Sequence, residues 1–388
     1  MLGTYVRVIE KARLFLGEHY NPAGTICKAF KHVGPPHSES VDIERKCIGT
    51  AHEYPCRARS LKTVIMSPLL SLPFMEKDRQ RVEKALVASV TTNDAYMTEI
   101  ASHLISAGGK RLRPVFTIVG SQVGNDAVAT EEAIAGGISC ELVHLGSLYH
   151  DDVMDESDLR RGVETVNAKW GNLQAILAGD FLLAKASEIA ASLGTEVAAL
   201  LARTIGRLCE GQIEELRHTY NVGRTVDSYL DSIDGKTAAL YSTAARIGGL
   251  VAGHDRAVVD ALTAYGTAYG MVFQIVDDVL DLTATDEELG KPAGNDMKEG
   301  VYTLPVLHTL AKGGKDADTL KSTLGKPLTV EERDTVLKIV RTNGGVEVAI
   351  EKARAFVADA ERACDALPKG ITSDAMRAAT AALLATVS

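Results

Sequence analysis

The chain has 388 residues, 46% of them apolar and only 5% aromatic, and a formal net charge of −9. That charge argues against a nucleic-acid binder held by phosphate contacts, and no run of about 18 uninterrupted apolar residues predicts a membrane span. The six cysteines, at positions 27, 47, 56, 140, 209 and 364, lack CxxC spacing; they read as reduced thiols of a cytoplasmic protein rather than a disulfide framework or zinc site.

Residues 1–65 differ from the rest. They carry ten Lys/Arg against six Asp/Glu, so +4 here and −13 over the remainder, together with three Cys, four His and four Pro. No apolar segment with a small-residue cleavage site marks a secretory signal, and the acids argue against a transit peptide. This stretch is expected to be a loosely ordered N-terminal extension. Met66-Ser67-Pro68 is a natural beginning for one folded domain over 66–388.

The helical pattern opens near Glu76. Gly108-Gly109-Lys110-Arg111-Leu112-Arg113-Pro114 then joins a flexible turn to three cations, which suits a phosphate or diphosphate; a basic helix start is the plain alternative. No proline follows until Pro292. Proline costs about 3 kcal/mol inside a helix, so this span reads as consecutive helices. Phe181, Leu182, Ala186, Ile189, Ala190 and Leu193 recur at helical spacing. No sustained alternation and no Asn-Gly hairpin signal interrupts them, and the predicted fold is all-α.

Within this span one acidic pattern occurs twice, as Asp151-Asp152-Val153-Met154-Asp155 and as Asp277-Asp278-Val279-Leu280-Asp281. On a helix, residues i and i+4 share a face with Cβ atoms about 5–6 Å apart, so each copy presents a pair of carboxylates. Their apolar surroundings call for a neutralising cation. Hard oxygen ligands without a Cys or His cluster point to Mg²⁺, which binds through one or two carboxylates plus substrate phosphates. His144 precedes the first copy, and Arg160-Arg161-Gly162 follow it with guanidinium forks suited to a polyanion. Gly235-Lys236-Thr237 lies between the copies without the glycines of a P-loop. Gly290-Lys291-Pro292 follows the second copy and, taken alone, reads as a surface loop. Gly313-Gly314 and Gly325-Lys326-Pro327 punctuate the chain before helical pattern returns over the last 60 residues.

In order and spacing, residues 75–388 resemble the trans-isoprenyl diphosphate synthases, the polyprenyl synthase family. The likeness rests on Gly108–Pro114, the first Asp-rich motif ending in Arg160-Arg161, Gly179-Asp180, Lys236-Thr237, Phe273-Gln274, and the second Asp-rich motif followed by Gly290-Lys291. It implies a single-domain helical bundle of the isoprenoid synthase type around a central cavity. The implied activity is Mg²⁺-dependent head-to-tail condensation of isopentenyl diphosphate with farnesyl or geranylgeranyl diphosphate. By the same likeness Asp151, Asp155 and Asp277 hold more than one Mg²⁺, assisted by Asp152, Asp278 and Asp281. Arg160, Lys236 and Lys291 contact the allylic diphosphate, while Lys110, Arg113, His144 and Arg161 bind isopentenyl diphosphate. Thr237 and Gln274 sit beside the allylic carbon. A homodimer is implied, with no nucleic-acid partner and with transient membrane contact at product release. One departure is Glu299-Gly300-Val301, where many members have Glu-Gly-Lys; Lys298 is a candidate stand-in.

Gly146 and Ser147, five and four residues before Asp151, are expected to point from the same helix into the cavity. Bulky residues there would form a floor in short-chain members, so small ones predict a long-chain all-trans product, with a quinone side chain as one destination. Close helix packing is the plain alternative. A short-chain synthase, a class I terpene cyclase and a non-catalytic subunit of a heteromeric synthase are the competing functions. The intact second motif and the Lys110/Arg113 cluster weigh against the last two.

Overall fold

The computed structural model describes residues 68–285 and 293–388. The chain divides into two units, Met1–Cys56 and Arg57–Ser388. All described residues belong to the second unit, so the expected extension over 1–65 lies outside them.

Four helices make the centre: α3 (Leu112–Gln122), α4 (Glu131–Met154), α9 (Ala239–Val251) and α10 (Arg256–Thr283). Before them come α1 (Met75–Val90) and α2 (Ala95–Ser106); between α4 and α9 lie α5 (Val166–Trp170), α6 (Asn172–Ser192), α7 (Thr195–Arg217) and α8 (Val226–Ile233). After α10 the chain continues through α11 (Asn295–Lys298), α12 (Leu304–Lys312), α13 (Gly314–Thr323), α14 (Val330–Thr342), α15 (Gly345–Asp365) and α16 (Ile371–Leu384). The unit is the expected all-α fold, and none of its described helices is long and apolar enough to cross a membrane.

The central helices are apolar on nearly every side, as buried helices are. Every residue of α3 is buried except Arg113. Thr130 caps α4 by accepting the Ala133 amide, and Glu131 and Glu132 complement the positive end of its dipole. Much of the scarce aromatic content gathers between α3, α9 and α10. Phe116, Tyr241, Tyr265, Tyr269 and Phe273 form a chain of rings with centroids 4.7–6.3 Å apart. α10 belongs to two apolar clusters: its first half packs with α3, α4 and α9, its second half with α12, α14 and α15. The second aspartate motif is therefore carried at the end of the element that joins them.

Among the described residues one hairpin interrupts the helices, pairing Leu159–Arg160 with Val163–Glu164 antiparallel. Its turn residues, Arg161 and Gly162, both have positive φ, at 55° and 81°. That is the backbone of a two-residue turn with the hand of the strands. No Asn-Gly pair announces it, because Arg161 takes the position usually given to Asn.

The cations of Gly108–Pro114 do not act together. Arg111 enters α3 with a φ of 51° and turns inward. Its Nε donates to Glu83 at 2.8 Å, Nη2 to the Ile105 carbonyl at 2.7 Å and Nη1 to buried Glu141 at 3.4 Å. It is a structural ion pair, while Lys110 stays exposed and Arg113 half-buried. Arg111→Leu would strand Glu141, and breaking a buried pair costs about 3–5 kcal/mol. A loss of that size in the unfolding free energy is expected, read as a lower urea midpoint at an unchanged m-value.

Candidate active site

The first motif sits at the C-terminal end of α4, where the helix dipole disfavours carboxylates. Asp151 occupies the last turn, and Asp155 is the C-cap, its amide donating to the Asp151 carbonyl at 2.8 Å. Partial burial raises the pKa of both acids, Lys236 and Arg160 oppose the rise, Glu215 adds to it in both, and Asp155 adds to that of Asp151. Asp152, one residue on, falls on the inward side. It is buried, its Oδ1 accepts Arg160 Nε at 2.5 Å, and its Oδ2 has no hydrogen-bond partner. The expected ligand Asp152 and the expected diphosphate contact Arg160 are thus paired with each other, because a step of one residue turns the side chain by more than a quarter of a revolution.

The second motif repeats the division. Asp277 is exposed and lines a cleft, whereas Asp278 is buried. The Tyr229 hydroxyl donates to Asp278 Oδ2 at 2.5 Å, and Gln274 Nε2 donates to Oδ1 at 2.8 Å. Burial and Asp296 push the Asp278 carboxyl well above its usual range, and the two neutral donors offset part of that. Thr237 Oγ1 donates to Gln274 Oε1 at 2.8 Å. Thr237, Gln274, Asp278 and Tyr229 therefore form one hydrogen-bonded chain. Asp281 is buried and ties down the segment after residue 292: its carbonyl accepts the Gly294 amide at 2.8 Å and its carboxylate the Asp296 amide at 3.3 Å.

Lys236 reaches the site from a π-helical turn, Asp234–Ala238, joining α8 to α9. Such wide turns inside helices often mark functional sites. Here the turn lies against α7 backbone to backbone. A Cβ at Gly211 would come within 2.6 Å of the Lys236 amide nitrogen, and one at Gly235 within 2.9 Å of the Arg207 carbonyl. One turn beyond Gly211, Glu215 accepts Lys236 Nζ at 2.6 Å. Burial lowers the Lys236 pKa, but Glu215, Asp151 and Asp155 outweigh it and leave a net rise, so the ammonium is charged.

A cleft of about 160 Å³ brings these parts together. Asp155 and Asp277 line it with Lys236, Thr237, Gln274 and Asp278, and it is lined by six carboxylates against two cations. Sequence reasoning missed Glu215, Arg224, Tyr229 and Asp296 in this lining. Glu215 looks like any acid on an amphipathic helix, and the only sequence hint is Gly211 one turn before it. Val301, the departure from the family pattern, also lines the cleft, while Lys298 is exposed. Lys291 lies outside the described residues.

No cluster of three or more His, Cys, Asp or Glu stands ready-made for a metal among the described residues. The donors nevertheless fit Mg²⁺. They are all hard oxygens, one buried carboxylate oxygen of Asp152 is unpartnered, and Mg²⁺ characteristically completes its shell with substrate phosphates and water.

A second, carboxylate-poor group surrounds His144. Arg161 Nη1 donates to the Gly108 carbonyl and to that of Leu104 at 3.4 Å, pinning the Gly108-Gly109 turn. Arg113 lies 4.5 Å over the Tyr241 ring, its Nε buried without a partner. Burial first, then Arg113, Arg161, Arg160 and Arg111, push the His144 imidazole well below its ordinary value. A neutral imidazole among guanidiniums has the charge to suit an anion. In the unfolded chain His144 binds a proton below its ordinary pKa of 6.5; the folded site does not. Stability of the ligand-free protein should therefore fall as pH drops through 6.5. Melting temperatures measured against pH should show a shallower fall in His144→Asn.

Gly146 lies against α6. A Cβ there would meet the Gly179 carbonyl at 3.1 Å and Leu183 Cγ at 3.3 Å on α6. Ser147 is half-buried and its hydroxyl donates to the His144 carbonyl at 2.8 Å. Gly146 thus permits close packing of α4 on α6. Gly146→Tyr should overpack this contact and destabilise by about 1–3 kcal/mol or more, seen as a lower melting temperature.

Residues 94–341 match the family model for polyprenyl synthetase. The chain is 38% identical to nonaprenyl diphosphate synthase of Mycobacterium tuberculosis over 74% of its length and 86% of the relative's. It is 37% identical to heptaprenyl diphosphate synthase component 2 of Geobacillus stearothermophilus, covering 76% and 91%. To geranylgeranyl diphosphate synthase of Methanosarcina mazei it is 36% identical, covering 71% and 85%. Its structure superposes with a TM-score of 0.76 on a polyprenyl synthase from Caulobacter crescentus crystallised with calcium and isoprenyl diphosphate, at 30% identity over 82% of this chain and 96% of that one.

Proposed function

The chain belongs to the polyprenyl synthetase family and is a prenyltransferase, and on that premise we propose that it condenses isopentenyl diphosphate with an allylic diphosphate to give an all-trans long-chain polyprenyl diphosphate. The observation that carries the reading is the cleft in which Asp155 and Asp277, from two helices far apart in sequence, face the same space as Lys236. The arginines that act on His144 support a second diphosphate.

Mg²⁺ bound by Asp151, Asp155 and Asp277 would neutralise the allylic diphosphate and draw off charge as its C–O bond breaks. Lys236, held by Glu215, is already aimed where that charge grows, so no reorganisation is needed at the moment of reaction. Arg160 exchanges Asp152 for the diphosphate, and Lys291 adds a contact by resemblance. Thr237 and Gln274, bonded to each other, present their dipoles beside the allylic carbon. Asp152, Asp278 and Asp281 act behind the ligands by fixing where the motifs point. Lys110, Arg113 and Arg161 hold isopentenyl diphosphate, with His144 as a neutral partner. Its double bond attacks the allylic cation, and the proton then lost goes to the departing diphosphate. Water has to be kept from the cation, which it would quench.

The long-chain product follows the nonaprenyl and heptaprenyl relatives. A homodimer is supported by Leu173, Ile176 and Leu177, an apolar stripe exposed on one face of α6. Free thiols at Cys140, Cys209 and Cys364 suit a reducing, cytoplasmic setting. Release of so apolar a product would take place at a membrane surface.

The test is incubation with Mg²⁺, labelled isopentenyl diphosphate and farnesyl or geranylgeranyl diphosphate, with products resolved by length. Elongation past geranylgeranyl is expected; arrest there would make the protein a short-chain synthase, and a cyclised hydrocarbon from the allylic substrate alone would overturn condensation. Asp151→Ala and Asp277→Ala should each lower kcat about 10²-fold or more with unchanged thermal melts. A fully active variant would remove that aspartate from the metal site.

A further inference from the structure

Arg224 precedes α8 and is only 6% exposed, yet its Nε and Nη2 find no hydrogen-bond partner. A guanidinium cannot escape this cost by losing its proton, and burying a charge without partners is expensive. Each of the nearby acids already accepts another donor. Glu215 Oε1 accepts Lys236 Nζ at 2.6 Å, Glu214 Oε1 accepts Ser228 Oγ at 2.8 Å, and both oxygens of Asp278 are taken by Tyr229 and Gln274. Its guanidinium carbon lies 5.7 Å from the centroid of the Tyr229 ring, and Glu215, Glu214 and Asp278 act on it through space without bonding its Nε or Nη2. A cation–π contact orients the group without using its N–H bonds. Arg224 lines the same cleft as Lys236, Gln274 and Asp277, and with Lys236 it supplies the two cations of that lining. Val301, on the same wall, brings no charge.

We propose that Arg224 is a diphosphate-binding residue, whose unpaired N–H groups take oxygens of the allylic diphosphate and of the pyrophosphate released from it. This rests on reading the cleft as the allylic site. An arginine fork suits the task because it can bond two phosphate oxygens at once. Its empty donors are a cost carried by the ligand-free protein and recovered on binding.

The test is calorimetric titration of the full chain with inorganic pyrophosphate in the presence of Mg²⁺, comparing wild type with Arg224→Met and Arg224→Lys. Loss of hydrogen bonds to a charged group predicts that Arg224→Met weakens pyrophosphate binding about tenfold or more, with Arg224→Lys recovering part. The KM for the allylic diphosphate should rise in step, while the KM for isopentenyl diphosphate and the melting temperature hold. Unchanged pyrophosphate affinity in Arg224→Met would overturn the assignment. So would an equal loss for both substrates together with a lowered melting temperature, since that would make Arg224 a structural residue. The titration needs no turnover. A wild-type protein that binds pyrophosphate through Arg224 but elongates nothing would leave the assignment standing and remove the condensation reading.

Discussion

Six carboxylates and two cations share one small cleft, and the excess of negative charge there governs how the surrounding elements are built. Carboxylates so close in a partly apolar setting raise one another's pKa. The fold answers in three ways. It brings Lys236 into range by opening a helix into a π-turn and stripping side chains from Gly211 and Gly235. It satisfies Asp278 with neutral donors, and it turns Asp152 towards an arginine. The charge that remains asks for a divalent ion, and a site lacking a ready-made cage of three ligands suits one that arrives with a phosphate.

The two motifs are alike in a way their shared spelling does not reveal. In each, the second aspartate is the buried one: Asp152 is 1% exposed and Asp278 4%. One is fastened to the hairpin through Arg160, the other to α8 through Tyr229. The first aspartate of each pair is left nearer the surface. A helical Asp-Asp dipeptide cannot point both side chains the same way, since successive residues are about 100° apart. The doubled aspartate therefore supplies one group that faces outward and one that anchors the helix end against its neighbour. The motifs differ at their last member. Asp155 ends its helix and is exposed, while Asp281 is buried because the chain folds back over it at Gly294 and Asp296.

Periodicity and the absence of proline made the helices legible, and the spacing of Asp151, Asp155 and Asp277 made the acidic faces legible. What sequence could not supply was which residue sits across from which. Glu215 meets Lys236 from a different helix, and Arg111 looks like its neighbours Lys110 and Arg113 until Glu83 and Glu141 are placed around it. The hairpin was hidden because arginine, an unusual residue for a left-handed backbone, holds its turn. Gly146 shows the same limit. A small residue reads as space when only its own helix is considered, and as a packing contact once Gly179 and Leu183 of α6 lie against it.

On the proposed reading the two diphosphate sites have opposite charge, and this decides which diphosphate leaves. The cleft at Lys236 is rich in carboxylates and can take a diphosphate only with divalent ions, which are what stabilise charge developing on a departing oxygen. The group around His144 is rich in arginines and, on that reading, needs no metal. Its imidazole is held neutral, so the anion there meets fixed guanidiniums that neutralise it in the ground state. Uniform binding of that kind lowers the energy of the bound substrate without favouring bond cleavage. An allylic diphosphate in the first site is thus primed to ionise. A diphosphate in the second is held intact, and its hydrocarbon end remains available as the nucleophile.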